Sequence, residues 1–124
     1  MDHAQVSSIL IALFLAQRPG WRILPNRSGE AVFDGAHVPY GVPPGGGGAD
    51  FLTFGPDARC EWWEVKTLAY PLMSKKQKRV ATVMVEIGQT WYIFRETAEA
   101  PYYTIRQWVI GLNGKGREEV CTPF

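Results

Sequence analysis

The sequence predicts an α/β fold built as a single domain over residues 1–124, and three observations support this. A chain of 124 residues has the usual length of one domain. Its hydrophobic content of 46% is near the globular average, so a buried core can form without disulfide bonds. Helical and strand patterns follow one another along the chain, which is typical of helices packed on a β-sheet.

The N-terminal half begins with a predicted helix. Asp2 is positioned to cap this helix, and apolar residues recur after it at helical spacing. Short strands follow at residues 21–24, 31–33 and 37–40, and the last two form an irregular hairpin. A loop rich in glycine and proline comes next. We expect its residues 45–48 to let the backbone pass close to a metal ion or DNA, unless they form an ordinary surface loop.

The middle of the chain predicts a strand hairpin, a helix and a further strand. Residues 50–54 and 60–67 read as strands that flank a turn, so they pair as a hairpin. The helix begins after Ser74, which has capping-box spacing, and ends at Gly88. Aromatic and β-branched residues at 90–95 predict the next strand.

The C-terminal segment is predicted to be the least regular part of the chain. Residues 103–112 are expected to form a last short helix, and residues 113–124 a loose polar tail. Val120 and Phe124 have apolar side chains that would allow this tail to dock. The domain core is therefore expected to cover about residues 4–112.

Charge, apolar runs and cysteines exclude several classes of function. The chain has 13 Lys+Arg and 12 Asp+Glu, so a nucleic-acid site must be a local basic patch. The longest apolar run, residues 9–16, is far shorter than the roughly 20 residues of a membrane span, so no membrane partner is expected. The residues that flank this run do not resemble those of a signal peptide, so a cytoplasmic location, in a bacterial or phage-infected cell, is expected. Cys60 and Cys121 are too few for a disulfide framework and are then expected to be reduced thiols.

Three charged residues on the predicted hairpin form the candidate catalytic site. Asp50 begins one strand, while Glu64 and Lys66 lie two residues apart on the next and project from the same face. The hairpin brings Asp50 beside Glu64, whereas Glu61 falls on the opposite face. Two neighbouring carboxylates suit Mg²⁺, and a nearby lysine can hold or polarise a water molecule. This predicts metal-assisted hydrolysis of phosphodiester bonds, although a Glu-x-Lys pair alone is also common on a solvated strand.

The order of the motifs makes the pattern more specific. The chain contains, in succession, Gly48–Ala49–Asp50–Phe51, Glu64–Val65–Lys66–Thr67 and Ser74–Lys75–Lys76–Gln77. In this order they resemble the PD-(D/E)XK nuclease superfamily, and within it the VRR-NUC (virus-type replication-repair nuclease) domains, whose stand-alone members are often encoded by phages. The resemblance covers roughly residues 4–95. It implies a restriction-endonuclease-like core, with a central mixed β-sheet flanked by helices.

The resemblance also implies a role for each matching residue. Asp50 and Glu64 would bind a divalent metal ion, either Mg²⁺ or Mn²⁺ in its place, with the backbone carbonyl of Val65 as a further ligand. Lys66 would position the attacking water, and Gln77 would lie at the helix edge near Lys66. Gln77 is also at the position of a capping box that reaches back to the N-cap backbone, and both interpretations stay open.

In two respects the sequence departs from the family pattern. The proline of the PD signature is displaced, because Pro43–Pro44 lie several residues upstream of Asp50. The family usually places a glutamate in the first helix near the metal, whereas the corresponding stretch here is Asp2–His3–Ala4–Gln5. Either Asp2, His3 or Gln5 substitutes for it, or a second metal position is missing. Apart from this possible substitution, His3 and His37 are expected to be ordinary polar residues and not metal ligands.

The densest basic cluster lies at the start of the second helix and comprises Lys75, Lys76, Lys78 and Arg79. A run of like charges is usually a solvated helix face. Beside a catalytic strand, the same residues would contact DNA phosphates and supply affinity independent of sequence.

Two functions from different classes fit these observations. The first is an Mg²⁺-dependent endodeoxyribonuclease, and the intact carboxylate and lysine set favours it. The resemblance implies that it would be selective for branched DNA such as Holliday junctions, on which stand-alone members of the family act as homodimers. The second is a non-catalytic DNA-binding or assembly module on a nuclease-like fold, which the missing helix glutamate favours.

A homodimer is expected for the first function, because two symmetric cuts in one junction need two active sites. Apolar surface on the first helix or on Tyr102, Tyr103 and Trp108 would form the interface. The competing interpretation is that these side chains complete the core of the monomer.

Overall fold

The computed structural model of the chain describes residues 1–43 and 46–124. Pro44 and Gly45, which belong to the glycine-rich loop, lie outside the described residues. In chain order the elements are α1 (His3–Gln17), β1 (Arg22–Pro25), β2 (Gly29–Phe33), β3 (Ala36–Tyr40), β4 (Phe51–Phe54), β5 (Cys60–Lys66), α2 (Lys75–Glu86), β6 (Thr90–Glu96), β7 (Tyr103–Ile110) and β8 (Gly116–Val120). The elements predicted up to residue 95 are all present, with small differences at their ends.

Six of the strands form one mixed sheet in the order β1-β4-β5-β6-β7-β8. Neighbouring strands run antiparallel, except that β5 and β6 are parallel. A parallel pair requires a long crossover connection, and α2 provides it. Strands β2 and β3 form a separate hairpin. The predicted α/β fold with a central mixed sheet flanked by helices is therefore confirmed.

Helix α1 covers one face of the sheet. Its Val6, Leu10 and Phe14 are buried in one cluster with Trp63 and Phe94 of the sheet. The helix begins at the N-cap expected from the sequence, because the Asp2 side chain accepts a hydrogen bond from the backbone N–H of the third helical residue.

Helix α2 covers the opposite face. Its Ala81 is buried in a second cluster with Trp62, Trp91 and Trp108. Trp62 and Trp63 are adjacent in β5, so they point to opposite faces, and both are buried. Neither helix in the described part of the chain is both long enough and apolar enough to span a membrane.

The C-terminal segment differs from the prediction, because residues 103–110 form strand β7 and not a helix. This strand has apolar side chains for both faces of the sheet. Ile105 joins the cluster under α1, and Trp108 joins the cluster under α2. A helix would have buried only one stripe of these residues, whereas a central strand buries both sets.

The predicted loose tail is also wrong. Strand β8 pairs with β7 and extends the sheet beyond residue 112. After it, the Phe124 ring stacks on Trp63 with the ring centroids 5.8 Å apart, so the end of the chain docks on the core. Tyr103 stacks on Phe94, and Trp108 is buried, so these two predicted interface aromatics complete the monomer core instead.

Candidate active site

The β4–β5 hairpin places Asp50 beside Glu64. Phe51 pairs with Trp63 across the two strands, so the residue before Phe51 lies opposite the residue after Trp63. The Asp50 Oδ2 atom accepts a hydrogen bond of 2.8 Å from the backbone N–H of Val65. The two carboxylates thus meet at the end of β5, as the hairpin register predicted.

Glu61 is on the other face of the sheet, also as predicted. Its carboxylate forms an ion pair with Arg18, at 3.2 Å, just beyond the end of α1. It therefore belongs to the core contacts on the α1 face and not to the candidate site.

Glu64 is the most unusual group in this region. Its residue is 2% exposed, and its Oε2 atom has no hydrogen-bond partner within the described part of the chain. Burial, together with the nearby Asp50 carboxylate, raises the pKa of Glu64 to about 9. Lys66 opposes this shift, because its Nζ atom lies 3.5 Å from Glu64 Oε1. A buried carboxyl in this position holds either a proton or a cation.

Lys66 connects the carboxylates to the start of α2. Its Nζ atom donates a hydrogen bond of 3.1 Å to Gln77 Oε1. The same oxygen accepts a bond of 3.0 Å from the backbone N–H of Ser74, so it is also the capping-box acceptor. The two interpretations of Gln77 are compatible: one side chain caps α2 and fixes the ammonium group of Lys66.

His3 also reaches the site, although sequence reasoning treated it as an ordinary polar residue. Its Nε2 atom lies 3.2 Å from Asp50 Oδ2, and its Nδ1 atom lies 3.4 Å from Ser7 Oγ. Asp2 and Gln5, the other two candidates for the missing glutamate, are instead the two side chains of the α1 capping box. The only available signal for His3 was its place in the helix segment where the family carries its glutamate.

A clamp around Asn26 holds the segment that leads into Asp50. The Asn26 side-chain amide donates to the carbonyls of Val42 (2.6 Å) and Ala49 (2.9 Å), and its Oδ1 accepts from the Val42 N–H at 3.1 Å. The Asn26 backbone N–H donates to the Asp50 carbonyl at 2.7 Å. Both ends of the glycine-rich loop are thereby fixed next to the candidate site.

The described glycines of this loop make close contact with protein atoms. A Cβ atom on Gly48 would overlap the Val42 carbonyl and lie 2.9 Å from Asn26 Nδ2. A Cβ atom on Gly47 would lie 2.8 Å from the Lys76 side chain on α2. The close approach predicted for residues 45–48 is therefore found at Gly47 and Gly48, and it involves the protein itself, while Gly45 lies outside the described residues.

The basic residues of α2 separate into two groups. Lys75, Lys78 and Arg79 line a surface groove of about 590 Å³, together with Trp108 and Lys115 from the β7 and β8 region. Lys76 points toward the glycine-rich loop instead. Lys115 thereby joins the predicted basic cluster. It belongs to residues 113–124, which the sequence analysis predicted to be a loose tail.

The donor set at the site suits a hard divalent cation. Asp50, Glu64 and the Val65 carbonyl are oxygen ligands of the kind that Mg²⁺ prefers, and Mg²⁺ fills its remaining positions with water. The unpartnered Glu64 Oε2 supports this fit. In the described ranges, no group of three or more His, Cys, Asp and Glu side chains already has the arrangement of a metal site.

Comparison with family models, with curated proteins and with solved structures gives no match for this chain. The geometry of the site and the sequence motifs therefore carry the functional argument.

Proposed function

We propose that this chain is a divalent-metal-dependent endonuclease that hydrolyses phosphodiester bonds in DNA, on a PD-(D/E)XK core of the VRR-NUC type. The observation that carries the proposal is the buried Glu64 carboxyl, which has an unpartnered oxygen and lies beside Asp50 and Lys66. A proton shared with Asp50 satisfies this buried group in the metal-free protein, and a bound cation between the two carboxylates would take the place of that proton.

The positions of the motifs support the proposed core. The strand after Asp50 and the strand carrying Glu64 and Lys66 are neighbours in the sheet, and the motif that begins with Ser74 starts the crossover helix α2. All three motifs therefore meet at the C-terminal end of β5, in agreement with the family pattern.

Each residue has a distinct role in the proposed reaction. Asp50, Glu64 and the Val65 carbonyl would hold Mg²⁺, or Mn²⁺ in its place. Such an ion stabilises charge on the phosphate and lowers the pKa of a bound water. Lys66, fixed between Glu64 and Gln77, orients the attacking water toward the phosphorus.

The groove lined by Lys75, Lys78, Arg79 and Lys115 is the proposed contact surface for the DNA backbone. Its charge is local, in agreement with the balanced total charge of the chain. We further propose that the substrate is branched DNA and that two copies of the chain act on one junction.

A non-catalytic DNA-binding module is the second candidate function. Two observations favour it: α1 has no glutamate near Asp50, and the described side chains are not arranged in advance around a metal. In this alternative the groove would bind DNA, and Asp50 and Glu64 would take no part in catalysis.

The proposed function is tested by incubating the full chain with labelled duplex, flap, single-stranded and four-way DNA, with and without Mg²⁺ or Mn²⁺. We expect cleavage only with metal, and loss of cleavage in Asp50→Ala, Glu64→Gln and Lys66→Ala. Glu99→Ala is the matched control, because this carboxylate is exposed in the loop between β6 and β7 and has no part in the candidate site.

Circular dichroism of each variant verifies that the fold is intact. Near wild-type cleavage by folded Glu64→Gln would overturn the site assignment. Metal-independent DNA binding without cleavage of any substrate would establish the second candidate.

A further inference from the structure

We propose that His3 is a third protein ligand of the metal site, and that its nitrogen shifts the preference of the site from Mg²⁺ toward Mn²⁺. This inference rests on the proposed function, because it assumes that Asp50 and Glu64 bind a metal ion. It adds a ligand from α1 that differs in chemistry from the glutamate of the family pattern.

The distance between His3 and Asp50 fits a shared ion. Two ligands on adjacent corners of an octahedron, each about 2.1 Å from the metal, are roughly 3 Å apart. His3 Nε2 and Asp50 Oδ2 are 3.2 Å apart. Both atoms can therefore contact one ion with little movement of either side chain.

The second ring nitrogen of His3 has a partner that favours metal binding through Nε2. Its Nδ1 atom lies 3.4 Å from Ser7 Oγ, one helical turn along α1, and Ser7 is buried. A proton on Nδ1 that is donated to this hydroxyl leaves the lone pair of Nε2 free and sets the ring orientation.

Exposure allows the imidazole to adjust when a metal enters. The His3 side chain is 54% exposed, so its ring can reorient on the solvent side of the site. Binding of the metal ion by His3 would give the ion three side-chain ligands, namely one imidazole and the carboxylates of Asp50 and Glu64.

The chemistry of this set separates the two metals. Mg²⁺ strongly favours oxygen ligands. An imidazole nitrogen suits transition metals, so it binds Mn²⁺ more tightly than it binds Mg²⁺. A glutamate at the same place would keep an all-oxygen site. The competing interpretation is that His3 forms only a surface ion pair with Asp50, which would contribute little.

The experiment measures metal binding by the full chain in the absence of DNA. Bound Mn²⁺ is quantified by electron paramagnetic resonance, and Mg²⁺ by its competition with Mn²⁺. We expect His3→Ala to weaken Mn²⁺ binding by about tenfold or more, as loss of a ligand does, and to change Mg²⁺ binding by less than about twofold. Pulsed measurements on bound Mn²⁺ should show a nitrogen coupling that His3→Ala lacks. His37→Ala is the matched control, since the other histidine is exposed and paired with Glu30.

Glu64→Gln separates failure of this inference from failure of the proposed function. If Glu64→Gln abolishes metal binding while His3→Ala leaves Mn²⁺ affinity and the nitrogen coupling unchanged, His3 is only an ion-pair partner and the inference is overturned. If Glu64→Gln leaves the binding of both metals intact, the carboxylate site itself is wrong and the proposed function falls with it.

Discussion

The carboxyl of Glu64 shows how one residue links stability to function. It is buried with an unpartnered oxygen, and its pKa is raised to about 9 by burial and by Asp50. The folded, metal-free protein therefore holds a proton there at neutral pH, whereas the unfolded chain releases it above the ordinary glutamate pKa of about 4.5. Between these two values the folded state binds more protons, so folding becomes less favourable as pH rises.

We predict that the metal-free protein loses stability as pH rises and that Glu64→Gln removes this dependence. One such group contributes a fall of up to about 1.4 kcal/mol in the free energy of unfolding per pH unit. Urea denaturation with EDTA at several pH values between about 5 and 9 measures the slope, since proton linkage acts across that window. Glu64→Gln should be more stable than wild type at the upper end.

Two further measurements complete this test. Adding Mg²⁺ should stabilise the wild type and not Glu64→Gln, because only the carboxylate can exchange its proton for the ion. Glu99→Gln, an exposed control, should keep the wild-type slope. Equal slopes in Glu64→Gln and wild type would show that Glu64 is not protonated in the folded protein.

The segment between β3 and β4 is the element that sets the position of Asp50. Asn26 ties it at Val42 and Ala49, and its own backbone binds the Asp50 carbonyl. The tight packing at Gly48 explains why a small residue is needed there. Hydrogen bonds of this kind, made by residues around a site, hold its functional side chains in position.

We predict that Asn26→Ala lowers the free energy of unfolding by about 1–3 kcal/mol, because it removes three side-chain hydrogen bonds, one of them to the carbonyl of the buried Ala49. It should also weaken metal binding, since the segment that leads into Asp50 loses its side-chain support. Thermal denaturation and Mn²⁺ titration measure the two effects. Asn113→Ala is the control, because Asn113 accepts only one local backbone bond, from Lys115. Unchanged metal affinity in Asn26→Ala would show that the clamp does not position Asp50.

Helix α2 presents different residues to the site and to the groove. Gln77 faces Lys66, whereas Lys78 and Arg79 line the groove. We predict that the double variant Lys78→Ala and Arg79→Ala weakens DNA binding on every sequence alike. The slope of log affinity against log salt should decrease by roughly one unit per lost phosphate contact.

Fluorescence anisotropy at several salt concentrations measures this slope for the basic groove. The control removes two arginines that do not line it, Arg22→Ala and Arg59→Ala. An unchanged salt dependence in the groove variant, with a reduced one in the control, would place the DNA on another surface.

The elements that sequence reasoning predicted correctly are those whose signals are local. The helix cap at Asp2, the capping box at Ser74 and the register of the β4–β5 hairpin depend on residues close in sequence, and the last two bring Asp50, Glu64 and Gln77 to one site. Strand β7 was mistaken for a helix because it buries side chains on both faces, so its apolar residues do not alternate simply. His3 was only one of three candidates for the position of the missing glutamate, because its contact with Asp50 spans 47 residues of chain.

At the scale of the whole molecule, the sheet separates two hydrophobic cores. The N-terminal turns of both helices lie near the C-terminal end of β5. His3 lies at the beginning of α1 and reaches Asp50, whereas Gln77 lies in the first turn of α2 and reaches Lys66 at the end of β5. Helix N-termini carry partial positive charge, which favours the carboxylates and an approaching phosphate. The candidate site therefore depends on the packing of both layers and not on the hairpin alone.

The β2–β3 hairpin is the part of the molecule that the two cores do not include. It is separate from the six-stranded sheet, and Val32 and Phe33 are 63% and 65% exposed. A lone two-stranded hairpin is marginally stable in water, and exposed apolar side chains on it favour association. Because Tyr103 and Trp108, two of the predicted interface residues, are already packed in the monomer, we propose this hairpin as the surface of the expected two-fold dimer.

We predict that the protein sediments at micromolar concentration as a dimer of about twice 13.9 kDa, and that Val32→Ser with Phe33→Ser converts it to a monomer. The monomeric variant should keep its Mn²⁺ affinity, because the metal ligands come from one chain, but it should lose paired cuts on four-way DNA. Leu72→Ser with Leu112→Ser is the control, since these apolar side chains are even more exposed but lie outside the hairpin. A wild-type monomer that still cuts four-way junctions symmetrically would rule out the preassembled dimer, and a monomer that cuts only flaps or nicks would rule out the junction substrate as well.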